Sequence, residues 1–178
     1  YGTDGQTMLL KDGSVLPADL VIAATGFAQD YSIFTDPATL DALDLQMDGL
    51  YLYNYILPPR LPNLAFIGNV SAISNISTYG LQAEWLARHW TGALKHENGN
   101  ELSEEAMQEE IETRKNWARS WMPDSSSRGM LVLLHHTHYH DKLLKEMGET
   151  YLRKGNPLSE FLMPYEPADY DGIMADTR

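Results

Sequence analysis

Polar and apolar positions alternate differently along the chain, and each change of pattern predicts an element. The opening segment "GQTMLLKDGSVLPADLVIAATGF" holds two strand-like runs joined by the turn dipeptide Asp12-Gly13, which predicts a hairpin. Its first run mixes polar and apolar residues, as a half-exposed strand does. In the second, Leu20, Val21, Ile22, Ala23 and Ala24 follow one another without a polar break, the pattern of a strand covered on both faces. "NLAFIGN" at 63–69 has the same character and also ends on a glycine. Together they predict a parallel sheet, in which ligands gather at the carboxyl ends of the strands.

A polar loop, "NVSAISNIST", follows Gly68 and leads into a helix predicted from about Thr78 to Leu94. Leu81, Trp85 and His89 recur every four residues, as do Leu86, Trp90 and Leu94, so one broad apolar face is expected with both tryptophans in the core. Gly92 and "HENGNE" stop it. Ser103 is the predicted N-cap of a second helix, with Glu104 and Glu105 in its first turn and an end near Met122, before Pro123. Met107, Ile111, Ala118 and Trp121 form its apolar stripe. "DSSSRG" at 124–129 reads as a loop, and "MLVLLHHTHYHDKLLKEMG" as a third helix closed by Gly148. The tail, with Pro157, Pro164 and Pro167, is expected to lie over the surface.

Composition narrows the classes. Twenty-five acidic against 13 basic residues give a formal charge of −12, which repels nucleic acid and anionic membranes; neither is expected as a partner. The absence of cysteine excludes disulfides, thiolate metal sites and a redox dithiol, and fits a reducing compartment. With no apolar run of about 20 residues, a soluble, cytoplasmic protein is expected. A chain of 178 residues suffices for one ordinary domain and is short for an enzyme holding two nucleotides.

Candidate chemistry is sparse. His136 and His140 stand at the i, i+4 spacing of helical metal ligands, but no third ligand or H-E-x-x-H pattern accompanies them, so a partly exposed helix face is expected and no metal site. Tyr51, Tyr53 and Tyr55 alternate as in a strand edge or a loop packing its rings. Ser125 to Ser127 lack a placed histidine and aspartate. No G-x-G-x-x-G, G-x-x-x-x-G-K-[ST] or G-x-S-x-G occurs. By itself the chain has no catalytic centre.

In order, "ADLVIAATGF", "LYNYILPPRLPNLAFIGN" and "YGLQAEWLARHWTG" resemble the C-terminal portion of the flavin-containing monooxygenases, and "YHDKLLKEMG" resembles that family's terminal helix. The resemblance covers most of residues 8–148. It implies an α/β fold, part of an FAD/NAD(P)-binding Rossmann-type domain from a flavoprotein with two dinucleotide-binding domains. Residues 1–30 would be the last hairpin or strand of the NADPH unit, or its return linker. Residues 31–148 would be the C-terminal part of the FAD domain, and 149–178 an irregular tail. The missing N-terminal half of the same protein is then the expected partner, and the isolated chain is expected to be inactive.

The implied cofactors are FAD and NADPH, and the implied substrates are oxygen and a small nucleophile at nitrogen or sulfur, oxygenated through a flavin hydroperoxide. By position, Gly26 would let the chain turn between the two nucleotide units. Gly68 and Asn69 would sit beside the flavin, Ala72 and Asn75 on the loop that touches it, and Gln82 in the helix that follows. The family often shows Glu-x-Gln-Ala-Arg-Trp there; Gly80 stands in place of its acid and Glu84 in place of its base, which bears on substrate preference. Asn75 and Gln82 also read as ordinary capping and solvated residues. A Baeyer–Villiger monooxygenase is the enzymatic alternative, since a disulfide reductase would need a cysteine pair and an aspartate where Asn69 stands. A truncated, non-catalytic fragment or interaction module is the other.

Overall fold

The computed structural model describes residues 7–22, 24, 29–94, 102–133 and 135–173. The chain divides into two compact units, Tyr1–Asp30 and Tyr31–Arg178.

In the first unit β1 (Thr7–Leu9) pairs antiparallel with β2 (Val15–Pro17), Met8 opposite Leu16. The turn is held where the sequence places it: Asp12 accepts from the Ser14 N–H at 2.9 Å, and Gly13 takes φ +84°, a conformation open to glycine without steric cost. The expected strand over 20–24 does not form at its described positions, and Leu20 and Ile22 are 76% and 80% exposed. A strand of that composition is stable only between hydrogen-bonded neighbours, and no described segment pairs with it. The same correction applies at 63–69, where a single bond from the Phe66 N–H to the Ile56 carbonyl (2.8 Å) replaces a ladder. The fold is mixed α/β, but the hairpin is the only sheet among the described residues.

The second unit is built from helices: α1 (Pro37–Leu43), α2 (Asn75–Trp90), α3 (Glu104–Trp121), α4 (His136–Met147) and α5 (Pro157–Leu162), with short 3-10 turns at Arg128–Met130 and Pro167–Tyr170. Ser103 caps α3 as expected, accepting from the Ala106 N–H, and Gly148 ends α4 at φ +73°. α2 starts three residues before the predicted Thr78 and ends at Trp90, short of Leu94. α4 begins at His136 rather than Met130 because residues 128–132 do other work: Leu131 bridges in parallel to Ser71, and the Gly129 N–H binds the Asp48 carbonyl at 2.9 Å. A Cβ on Gly129 would come within 2.9 Å of the Leu50 carbonyl oxygen, so that approach requires glycine.

α2 packs against α4, and Leu81, Trp85, Leu143, Leu144, Ile56 and Val132 are wholly buried between and around them. The three tyrosines at 51, 53 and 55 are buried loop residues of this core. Trp85 donates to Glu146 Oε2 at 2.7 Å, an oxygen that also accepts from Asn54 Nδ2 at 2.8 Å. Trp90, expected in the core, is 57% exposed and lies in the last turn of α2. Trp121, at the end of the α3 stripe, is likewise 44% exposed, whereas Ile111 and Ala118 are buried.

Two further expectations are corrected. His140 is fully buried rather than part of an exposed face, and the tail is not confined to the surface, because Tyr170 is 5% exposed and joins the core. The two meet: His140 Nδ1 is 2.7 Å from the Tyr170 hydroxyl, and its Nε2 is 2.8 Å from Thr78 Oγ1. The Thr78 hydroxyl already donates to the Ser74 carbonyl, so Nε2 carries the proton and Nδ1 accepts from Tyr170. Burial depresses the His140 pKa to about 3. No helix among the described residues is long and apolar enough to cross a membrane.

Candidate functional site

The segment from Gly68 to Gln82, inside α2, holds five of the six residues singled out in the sequence; Gly26 lies outside the described residues. Gly68 has φ +82°, a region that side chains other than glycine enter only with strain. A Cβ there would lie 3.5 Å from the Tyr79 ring, an ordinary contact. The glycine is therefore required by its backbone angle. Its N–H donates to Gln82 Oε1 at 2.9 Å, and Gln82 Nε2 donates to the Tyr139 hydroxyl at 2.9 Å, which in turn donates to the Asn54 carbonyl at 2.7 Å. Gln82 is wholly buried with both ends of its amide used, so its side chain acts on the site through Gly68.

The loop beyond is fastened at three points. Asn69 is hydrogen-bonded to Tyr31, whose hydroxyl pKa is nonetheless raised by burial. The Ser71 N–H donates to the Met130 carbonyl (2.8 Å) and the Ser71 carbonyl accepts from the Val132 N–H (2.9 Å). Asn75 Oδ1 accepts from the Ala72 N–H at 3.0 Å. Asn75 thus closes the loop and does not cap the helix, and the N-cap residue, Ser74, makes no side-chain capping bond.

Consequently the first N–H groups of α2, at Asn75, Ile76 and Ser77, point out of the helix without a partner among the described residues. The helix dipole adds partial positive charge there. Around this end Ile67, Ile73 and Ile76 are 45%, 69% and 89% exposed. The arrangement offers hydrogen-bond donors and positive potential inside an apolar rim, which suits a flat, largely apolar group with an electron-rich edge. Glu84, in the place of the family's base, pairs with Arg88 one turn on at 2.7 Å.

Both ring nitrogens of His140 are used by Thr78 and Tyr170, and no group of three metal-ligating side chains occurs among the described residues. Sequence reasoning missed Tyr139, the far anchor of Gln82, and residues 130–132, which hold the loop at Ser71. Neither has a local signature, since both partners lie more than 50 residues away in the chain.

Comparison with known proteins bears on the family and the fold. A family model described as FMO-like, Flavin-binding monooxygenase-like, matches residues 3–151. A probable flavin-containing monooxygenase 1 from Arabidopsis thaliana is 27% identical over 92% of this chain and 30% of its own length. The FAD-dependent monooxygenase rstn6 of Aspergillus nomiae is 24% identical over 95% of the chain and 36% of its own. The chain thus spans about a third of the length of these relatives. Among solved structures, the S-allyl-L-cysteine S-oxygenase from Allium sativum superposes with a TM-score of 0.64 at 18% identity, over 83% of this chain and 32% of that one. The fold is shared over those residues.

Proposed function

Because the chain belongs to the flavin-binding monooxygenase-like family, we propose that it forms the C-terminal portion of an FAD-dependent monooxygenase that uses NADPH and oxygenates a small nucleophile at sulfur or nitrogen. The observation that carries this reading is the free N-terminus of α2 beside Gly68, donors and apolar rim together. FAD would supply the redox chemistry when bound, taking reducing equivalents from NADPH and reducing dioxygen, one atom of which would go to the substrate and the other to water. The N–H groups of Asn75, Ile76 and Ser77 would favour negative charge on a reduced flavin held there. Ile67, Ile73 and Ile76, exposed in this structure, would pack against the bound group and exclude water from the donors, which would strengthen each one. Gln82 and Ser71 hold the loop in place from behind. No side chain of this chain need act as acid or base. Sulfur as the acceptor is supported by the S-oxygenase whose fold this chain shares.

The test is flavin content and NADPH-dependent oxygen uptake in the complete protein. Gly68→Val forces a β-branched residue to φ +82° at a cost of about 1–3 kcal/mol and displaces the loop, so flavin retention is expected to be lost. Asn75→Ala removes one hydrogen bond, about 1 kcal/mol, and should lower flavin affinity about fivefold. Full FAD occupancy and normal turnover in Gly68→Val would remove this loop from the flavin site.

A further inference from the structure

α2 starts without the usual side-chain cap, and a cap would have occupied its donors. A serine N-cap ordinarily accepts from the N–H two or three residues on, which here belongs to Ile76 or Ser77. Ser74 Oγ instead donates to Ser77 Oγ at 3.0 Å. A first turn left uncapped loses the stabilisation a cap gives and frays at its end. This one is held from the back of the helix.

Three hydrogen bonds run in one direction from the segment after α4 to the first turn of α2. The Tyr170 hydroxyl donates to His140 Nδ1 at 2.7 Å, His140 Nε2–H donates to Thr78 Oγ1 at 2.8 Å, and the Thr78 hydroxyl donates to the Ser74 carbonyl at 2.7 Å. That carbonyl also accepts from the Thr78 N–H at 3.1 Å. Tyr170, His140 and Thr78 are all buried, and in such surroundings aligned hydrogen bonds polarise one another. A threonine hydroxyl on the carbonyl four residues back is ordinary in a helix; a buried histidine that fixes where that hydroxyl points is not. Because Nε2 carries a proton, Thr78 turns its own toward Ser74. Without the Tyr170 hydroxyl, Nδ1 has no partner in either tautomer. The ring is then free to present Nε2 as an acceptor and to draw the Thr78 proton off the Ser74 carbonyl.

The start of this relay is itself fastened. Arg153, its side chain 2% exposed, pairs with Asp141 of α4 at 3.0 Å and lies over the rings of Tyr165 and Tyr170 at 3.8 and 4.7 Å. Lys154 Nζ pairs with Asp169 at 2.7 Å, and Asp169 Oδ2 accepts from the Glu166 N–H at 2.6 Å, closing the 3-10 turn that carries Tyr170. None of these partners belongs to α2, so the Tyr170 hydroxyl is set on α4 first and reaches α2 through His140.

We propose that Tyr170 and His140 are positioning residues for the flavin site: through Thr78 and Ser74 they hold the first turn of α2 from behind while its N–H groups stay free for the cofactor. The inference rests on the flavin reading of that helix end.

The test is a mutant cycle in the complete protein, read by FAD affinity and by nitrogen NMR of the His140 ring. Tyr170→Phe removes only the hydroxyl, and the Kd for FAD is expected to rise by about two- to fivefold, fivefold being the whole of one net hydrogen bond. Thr78→Val breaks the relay at its other end and should weaken FAD at least as much; Thr78→Ser restores the hydroxyl and should recover the affinity. In the Thr78→Val background Tyr170→Phe should add nothing, because its effect travels through that hydroxyl. The nitrogen spectrum should show the Nε2–H tautomer in the parent and a shift toward Nδ1–H in Tyr170→Phe, a readout that stands even where Thr78→Val does not fold. An Nδ1–H ring in the parent overturns the proposal, as does equal weakening by Tyr170→Phe in both backgrounds, the mark of a structural role alone. Unchanged FAD affinity in Tyr170→Phe overturns it too: where Gly68→Val has lost flavin, only the relay falls, and where Gly68→Val retains flavin, the flavin reading falls with it.

Discussion

Replacing Gln82 with leucine tests whether the Gly68 turn is held by a side chain 14 residues away. The amide is wholly buried and bridges two groups, the Gly68 N–H and the Tyr139 hydroxyl, each at 2.9 Å. Leucine is close in size and fills the space, so the loss is in hydrogen bonding. Gly68 is only part-buried, so its orphaned N–H costs about 1–2 kcal/mol, the lower half of the usual range. The lost donor to Tyr139 costs about 1 kcal/mol more, while that hydroxyl keeps the Asn54 carbonyl. The sum, about 2–3 kcal/mol, predicts a fall in Tm of about 5–10 °C for a domain of this size. Flavin content of the complete protein should fall with it.

A second variant separates the two bonds. Gln82→Glu keeps an acceptor for Gly68 but has no donor for Tyr139 unless its carboxyl is protonated. Burial raises the pKa of such a carboxyl, so relative to the parent protein this variant should regain stability as pH falls and lose it as pH rises through the raised value. Thermal melts of both variants from pH 5 to 8, with bound flavin measured by absorbance, decide the matter. A Gln82→Leu protein melting within about 2 °C of the parent, with unchanged flavin, would refute the claim that this amide positions the loop.

Buried, neutral His140 predicts acid sensitivity: with its pKa depressed to about 3, the unfolded chain takes up the proton first. The stability is present above pH 6.5 and drains away toward pH 3 at up to about 1.4 kcal/mol per pH unit; His140→Gln should flatten the denaturation-midpoint profile in that window, and an unchanged slope would contradict the burial. Asp48 accepts from Arg119 at 2.8 and 2.9 Å, Arg128 at 3.0 Å and Tyr51 at 3.0 Å, and the Arg119 hydrogen bonds hold its carboxyl well below the usual range. Asp48→Asn should cost about 2 kcal/mol in urea unfolding, less than a fully buried pair because Arg119 is 39% exposed. Asp124→Asn, at a fully exposed partner of Arg128, should stay within about 0.5 kcal/mol; equal losses would show that Asp48 is not the hub.

Local signals in the sequence determined what depends on neighbours a few residues apart. The Asp12-Gly13 turn, the Ser103 cap with its two glutamates, and the Gly148 stop each satisfy backbone groups within one turn of chain. The order of motifs from "ADLVIAATGF" to "YHDKLLKEMG" was legible as well, and with it the family. The two apolar runs at 20–24 and 63–69 were read as covered strands, yet Leu20, Ile22 and Ile67 are exposed; a strand is a property of a pair, and no described segment pairs with either run in a ladder. Only the tertiary structure decided that Asn75 binds back to Ala72 and leaves the α2 donors free, that Gln82 is sealed behind Gly68, and that Tyr170 reaches His140. Those contacts join residues up to 30 positions apart, and the Gln82–Tyr139 bond behind Gly68 spans 57. They follow from which helix faces meet in packing, and no periodicity along a single segment records that meeting.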